Sequence, residues 1–111
     1  MVEEKSTLGI LNRVNKADRL IMKKEYFCSR TEFLCGLGEI FTEFVDGVAT
    51  RQISRPDNGP VYASSSRHDW NPDIGFLLFD GMRDELEIMP HDEIKEEDFE
   101  RAWNAAVGNV S

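Results

Sequence analysis

Apolar and polar positions alternate most sharply between Glu39 and Ser54, EIFTEFVDGVATRQIS. Two runs of strand formers flank Asp46-Gly47, a dipeptide that supplies the positive φ angles of a tight hairpin turn. With those two residues as the loop, Val45 faces Val48, Phe44 faces Ala49, Thr42 faces Arg51 and Ile40 faces Ile53. One side of the ribbon then carries Ile40, Phe44, Ala49 and Ile53 and needs cover. The other carries Phe41, Glu43, Val45, Val48, Thr50 and Gln52 and is half wet. A lone ribbon is marginal in water, so the rest of the chain must add strands and a helix.

The flanking pattern supplies them. Ser6 and Thr7 are N-cap candidates for a basic amphipathic helix in which Ile10, Val14, Ala17 and Ile21 recur at helical spacing, with Arg13, Lys16 and Arg19 on the wet side. Met22 followed by Lys23-Lys24 offers an internal start, which would make residues 1–21 a helical extension of a body over residues 22–111. Lys24–Ser29 is rich in strand formers, and Ser29 or Thr31 is placed to cap a single turn through Glu32–Cys35. Arg55–Pro60 is a turn cluster, Val61–Ala63 a short strand, and Ser64–Pro72 a polar loop anchored by Trp70. Ile74–Phe79 is continuously apolar apart from Gly75, which predicts a strand buried on both faces. Asp80-Gly81 ends it. Leu86 and Ile88 predict a final edge strand running toward Pro90, with Glu85 and Glu87 outward.

Ile94–Val107 predicts the clearest helix, with Phe99, Trp103, Ala106 and Val107 on one stripe. Its crowded N-terminal carboxylates suit the positive end of the helix dipole, and Gly108 stops it. The fold class expected is α+β: a small antiparallel sheet of about four or five strands against the C-terminal helix, with the N-terminal helix beside it.

At 111 residues the chain is one domain, able to build a core without disulfides or a metal. No apolar run approaches the roughly 20 residues of a membrane span, and Met1–Lys16 has no continuous apolar centre of a signal peptide. A cytoplasmic location, with Cys28 and Cys35 as reduced thiols, is the expectation.

Charge changes the picture more. Residues 1–24 hold six Lys/Arg against three Asp/Glu, whereas residues 25–111 hold seven against eighteen, for a net charge of −8 overall. Ten of the acids fall between Asp80 and Glu100. Such a body repels nucleic-acid backbones, so direct DNA or RNA binding is disfavoured and a basic protein partner fits better.

Motifs for chemistry are sparse. Ser64-Ser65-Ser66-Arg67-His68-Asp69 holds the ingredients of nucleophilic catalysis, but neighbours in one loop rarely position a base. His91-Asp92-Glu93 lacks a second imidazole or thiolate for a transition metal, and the acids show no EF-hand spacing. Gly36-x-Gly38 lacks the rest of a phosphate loop. No cofactor, metal or catalytic residue is therefore assigned, and a glycosidase-like pair of acids is a matter of spacing in the fold, not along the chain. Trp103 belongs to a packed helical stripe, while Trp70 in its polar loop is the candidate recognition residue.

The Asp46-Gly47 ribbon, followed by Ile94-x-x-x-x-Phe99-Glu100-x-x-Trp103-x-x-Ala106, resembles small bacterial domains in which an aromatic-ended helix closes a small antiparallel sheet. The resemblance covers about Lys24–Val107, and Lys95 stands where those domains have a Ser or Thr cap. It implies an immunity- or interaction-type role and carries over no catalytic residue.

The function expected is a non-enzymatic protein-binding module, of an immunity or phage-inhibitor kind. Asp84, Glu85, Glu87, Asp92, Glu93 and Trp70 would meet a basic partner such as a nuclease. Two other classes stay open. One is a small enzyme or ligand-binding domain with a pocket near Trp70, His68 and His91. The other is a scaffold subunit docking through its basic N-terminal helix.

Overall fold

The computed structural model describes residues 22–108, so the helix expected within residues 1–21 lies outside the described residues. Four antiparallel strands pair in chain order: β1 (Lys24–Phe33), β2 (Gly36–Val45), β3 (Val48–Pro56) and β4 (Tyr62–Ser64). A two-residue ribbon follows, β5 (Trp70–Asn71) with β6 (Gly75–Phe76), and the described chain closes with α1 (Glu96–Gly108). The α+β class, the antiparallel sheet and the C-terminal helix agree with the sequence reading.

The β2–β3 turn forms as its residues require. Asp46 and Gly47 take φ of +52° and +84°, the pair of positive angles whose twist matches that of the flanking strands. Asp46 also accepts a hydrogen bond from the Lys23 N–H at 3.0 Å and donates its own N–H to the Lys23 carbonyl at 2.8 Å, tying the turn to the entry of β1. Gly38 has a different cause. A Cβ there would lie 2.5 Å from the Arg55 carbonyl oxygen and 2.7 Å from the Phe33 ring, so only glycine fits between β1 and β3.

The hairpin register departs from the expected one at a single residue. Val45 faces Val48 and Phe44 faces Ala49, as the two-residue loop dictates, but Glu43 then faces Arg51 and Thr50 is left unpaired. This β-bulge shifts every later pair, so Thr42 faces Gln52 and Phe41 faces Ile53. Because side chains alternate with period two, one extra residue sends the rest of β3 to the opposite face. The set Ile40, Phe44, Ala49 and Ile53 is therefore split. Ile53 joins Phe41 on one face, while Ile40, Phe44 and Ala49 occupy the other.

Each face has its own cover. On the helix face, Tyr26, Phe41 and Ile53 pack with Phe99 of α1, and Cys28, Ile94, Ala102, Trp103 and Ala106 complete the cluster. Phe99, Ala102, Trp103 and Ala106 follow the i, i+3, i+4, i+7 spacing of one helical stripe, whereas Val107 is exposed. On the second face, Phe27, Phe44, Ala49 and Leu78 pack together with Phe79 and Ile88. The segment 77–93 crosses that face as a strap before the chain turns around the β1 edge into α1.

An ion cluster locks α1 to the sheet. Arg51 donates to both Glu43 carboxylate oxygens, at 2.8 and 2.7 Å, and to both Glu100 oxygens, at 3.1 and 2.5 Å. Its guanidinium also lies 5.0 Å from the centre of the Phe99 ring and 5.1 Å from that of Trp103. The bulged Thr50 donates its hydroxyl to Glu43 Oε1 at 2.7 Å. The Arg51 hydrogen bonds dominate and hold the buried Glu43 carboxyl down to about 2, against the opposing cost of burial. The Glu100 carboxyl is lowered by the same guanidinium. Tyr26, paired across the strands with Glu43, has its hydroxyl sealed from water without a well-formed hydrogen bond, and burial pushes its pKa up.

Four expectations need correction. β1 does not end at Ser29. It runs to Phe33 and reaches β2 through a two-residue turn at Leu34-Cys35, so Ser29 and Thr31 are sheet residues and not helix caps. Pro56 is still paired, with Gly38, as the last residue of β3 before the turn. Ile74–Phe79 contributes only two residues of ladder, because Gly75 at φ +97° folds the run back onto Trp70-Asn71; Phe76 is exposed, and only Leu78 is deeply buried. Leu86 and Ile88 form no edge strand: Arg83–Glu85 and Pro90–Asp92 are single 3-10 turns, and the stretch between them lies across the sheet face.

Phe99 is fully buried, and Phe99→Ala is expected to lower the unfolding free energy by about 3–5 kcal/mol, whereas Val107→Ala changes it by less than about 0.5 kcal/mol. Urea denaturation of both variants checks this. A second expectation concerns pH. The folded pKa of Glu43 is depressed, so its contribution to stability is fully present above its ordinary value of 4.5 and is lost as pH falls toward about 2. Denaturation midpoints measured across that range should decline in the native chain and decline less steeply in Glu43→Gln.

Candidate functional site

The strap face is the unusual one. Alternation along four strands puts Phe27, Thr42, Gln52 and Ser64 in one cross-strand row, with Ser29, Ile40, Ser54 and Tyr62 in the next. Five of those eight side chains are hydroxyls or amides other than Tyr62, in a region where a core would be apolar. Thr42, Gln52, Ser54 and Ser64 are all buried.

Some of this polarity serves the fold. Gln52 accepts the Phe79 N–H at 2.9 Å through its side-chain oxygen and donates to Ser54 Oγ at 3.3 Å, which latches the strap to the middle of the sheet. Ser64 donates to Asp69 Oδ2 at 2.6 Å and accepts the Ser66 N–H, so the Ser64–Asp69 run closes its own loop. His68 is exposed and makes only a backbone bond to Ser66 Oγ. No imidazole lies against the Ser64 hydroxyl, and the run is a loop latch.

The strap is pinned at both ends. The Arg83 N–H donates to the Gly47 carbonyl at 2.8 Å, and Met82 bridges Val48. The Arg83 guanidinium lies 5.2 Å from the centre of the Phe27 ring and 3.4 Å from Glu25 Oε2. At the far end Glu93 bridges Phe27, and the Ile94 N–H donates to the Tyr26 carbonyl at 2.8 Å. These bonds also occupy part of the β1 edge that would otherwise offer unpaired backbone groups.

Between the pins the strap stands off the sheet and leaves a cavity of about 230 Å³. Ser29, Thr31, Thr42 and Gln52 line it from the sheet, beside the rings of Phe27, Phe44 and Phe79. Leu86, Glu87, Ile88 and Asp92 line it from the strap. A second cavity of about 260 Å³ shares Thr31, Ile40, Gln52 and Phe79 with the first and extends toward Phe76 and Asp80. Thr42 is 8% exposed and its hydroxyl has no hydrogen-bond partner among the described residues. The first volume is below the roughly 300–1,000 Å³ of sites that enclose whole small molecules, so it suits one side chain or a fragment.

The carboxylates divide into two populations. Around the sheet most are paired: Glu43 and, from α1, Glu100 with Arg51, Glu39 with Arg55, Glu25 with Arg83 and Asp57 with Arg30, whereas Glu32 of β1 is exposed with no cationic partner among the described residues. Along the strap and the helix entry, Asp80, Asp84, Glu85, Glu87, Glu93, Glu96 and Glu97 have no cationic partner among the described residues. Asp98 has Arg101, and Asp92 has only His91 at 3.4 Å, which is an ion pair when the imidazole is protonated.

Of the residues singled out from sequence, Glu87 and Asp92 meet at the cavity. Asp84 and Glu85 share the 3-10 turn beside the hairpin, where Glu85 accepts the Met82 N–H at 3.0 Å. Glu93 sits at the β1 edge. Trp70 is exposed and pairs with Phe76, which lines the second cavity, but Trp70, His68 and His91 line neither cavity. Cys28 and Cys35 are free thiols, and burial raises the pKa of Cys28. Among the described residues no three His, Cys, Asp or Glu side chains converge as metal ligands, and no helix is long and apolar enough to cross a membrane.

Sequence reading missed Ser29, Thr31, Thr42 and Gln52 as site residues. Their signal is the run of small polar side chains at alternate strand positions, and it emerges only once the bulge at Thr50 aligns Thr42 with Gln52. Fold and site together define a class: a small α+β domain whose sheet is sealed by a helix on one side and carries a polar groove under an acidic strap on the other. The chain matches no family model, no curated protein and no solved structure.

Replacing Gln52 with Ala removes the bond to the Phe79 N–H. The expected cost is about 1–3 kcal/mol, with faster hydrogen exchange at the Phe79 amide and unchanged exchange at Ile53. Amide exchange followed by NMR separates this local release from a general loss of stability.

Proposed function

We propose that this chain is a non-enzymatic protein-binding module whose acidic strap docks a basic protein, in the manner of an inhibitor or immunity protein. The single observation that carries the reading is the division of the carboxylates: Glu25, Glu39 and Glu43 on the sheet are each paired with an arginine, while seven along residues 80–97 have no cationic partner among the described residues. Unpaired like charges held close together repel one another and cost stability, and a partner that brings Lys and Arg relieves that repulsion. The same field steers a basic partner to the surface before contact and turns away nucleic acid.

Asp84 and Glu85 on their turn, and Glu87, Asp92 and Glu93 beyond it, form the proposed docking face. Trp70 is the proposed apolar contact at the sheet's far end, where Phe76 lies beside it. A nuclease surface built to hold phosphates is the kind of basic partner that such a row of carboxylates, mimicking phosphate spacing, would meet. A cytoplasmic site of action belongs to the same proposal.

The test uses a fluorescein-labelled Arg- and Lys-rich peptide as a probe for the full chain, followed by anisotropy across a salt series. Binding is expected to weaken steadily as salt rises, and the Asp84→Lys, Glu85→Lys, Glu87→Lys triple variant should bind at least about tenfold more weakly. Salt-insensitive binding, or a triple variant that binds as the native chain does, would overturn the proposal.

A further inference from the structure

We propose that the cavity beneath the strap is a subsite for one arginine side chain of the basic partner; this rests on the reading of the acidic strap as a docking face. Three independent features of the cavity select that occupant.

The first is shape and polarity. Phe27, Phe44 and Phe79 supply an aromatic wall, and Leu86 and Ile88 an aliphatic rim, which together suit the methylene stem and flat face of arginine. The chain uses this chemistry on itself. Its own Arg51, Arg55 and Arg83 guanidinium groups lie about 5 Å from the centres of Phe99, Phe41 and Phe27, respectively.

The second is charge. Glu87 and Asp92 line the cavity from the strap, and neither is paired with a Lys or Arg among the described residues. A free small anion is therefore repelled, and an uncharged fragment would leave both carboxylates unused.

The third is the unpartnered acceptor. Thr42 is more than nine-tenths buried and lines the cavity, and its hydroxyl makes no hydrogen bond among the described residues. Ser29 and Thr31 add hydroxyl oxygens from the neighbouring strand. Guanidinium carries five N–H donors in a fixed fork, so it satisfies a hydroxyl at the floor and a carboxylate at the rim together. Lysine, with a compact charge at the end of its stem, reaches one or the other.

The test is an NMR titration of the full isotope-labelled chain with n-butylguanidinium. Parallel titrations use n-butylammonium, guanidinium ion without a stem, and n-pentanol. Saturable shifts confined to Phe27, Thr42, Phe79 and Ile88 are expected for n-butylguanidinium, with at least about tenfold weaker binding of guanidinium ion and of n-pentanol. n-Butylammonium should bind more weakly than n-butylguanidinium. Glu87→Gln with Asp92→Asn should weaken binding at least about fivefold, and Thr42→Val should weaken it while leaving the urea midpoint within error.

Equal binding of n-pentanol would overturn the subsite as an apolar cavity only. Shifts spread along residues 80–97 would overturn it as diffuse screening, and tighter binding of n-butylammonium would reassign it to lysine. Failure of the partner reading is separable. If the labelled peptide binds in a salt-dependent way but is indifferent to Glu87→Gln with Asp92→Asn, the docking face stands and the subsite falls. If the peptide fails to bind while n-butylguanidinium saturates the cavity, the protein-partner reading falls and the cation site remains.

Discussion

One unpaired residue governs the arrangement of this fold. Thr50 is the extra residue of a β-bulge, and without it Arg51 would face Thr42 and point to the strap side. With it, Arg51 faces Glu43 on the helix side, within reach of Glu100, Phe99 and Trp103. The same shift carries Ile53 to the helix and Gln52 to the strap. Both covers of the sheet therefore depend on a single insertion, and the Thr50 hydroxyl bonds the Glu43 carboxylate that its insertion brought into place.

The charge distribution follows from that division. Arg30, Arg51 and Arg55 on the sheet are each committed to a carboxylate, an aromatic ring or both. The strap lies over a face where the bulge has collected Thr42, Gln52 and Ser54, so it cannot pack as a dry layer. It is held instead at points: the Gln52 bond to Phe79, the Arg83 anchors at the hairpin, and the bridges at the β1 edge. Between those points remain cavities and a row of acids with no Lys or Arg partner among the described residues. That form is what the proposed docking of a charged partner builds on.

Much of the architecture was legible from residue pattern. Asp46-Gly47 located the central turn, the Phe99–Ala106 stripe located the helix, and Gly108 marked its end. The misreadings share a physical origin in long-range contacts. Thr50 carries no local mark of a bulge; what favours the extra residue is the pairing of Glu43, Arg51 and Glu100, and Glu100 lies 49 positions beyond Arg51. Ile74–Phe79 and Leu86–Ile88 have the hydrophobicity of strands, yet their apolar side chains are drawn onto the face of an existing sheet and not alongside an edge. At the site, the acids could be picked out because charge is visible in composition, and Glu87 and Asp92 do meet at the cavity. The hydroxyls could not, since small polar residues in strands carry no signal until their cross-strand partners are known.

The division of the sheet into a helix face and a strap face is tested most directly at Ile53. It is almost fully buried, and the bulge alone decides which cover it meets. A NOESY spectrum of the methyl-labelled chain should show Ile53 methyl contacts to the Phe41 and Phe99 rings and none to Leu78. Ile53 contacts to Leu78 and Phe44, with none to Phe99, would place it on the opposite face and contradict the bulged register.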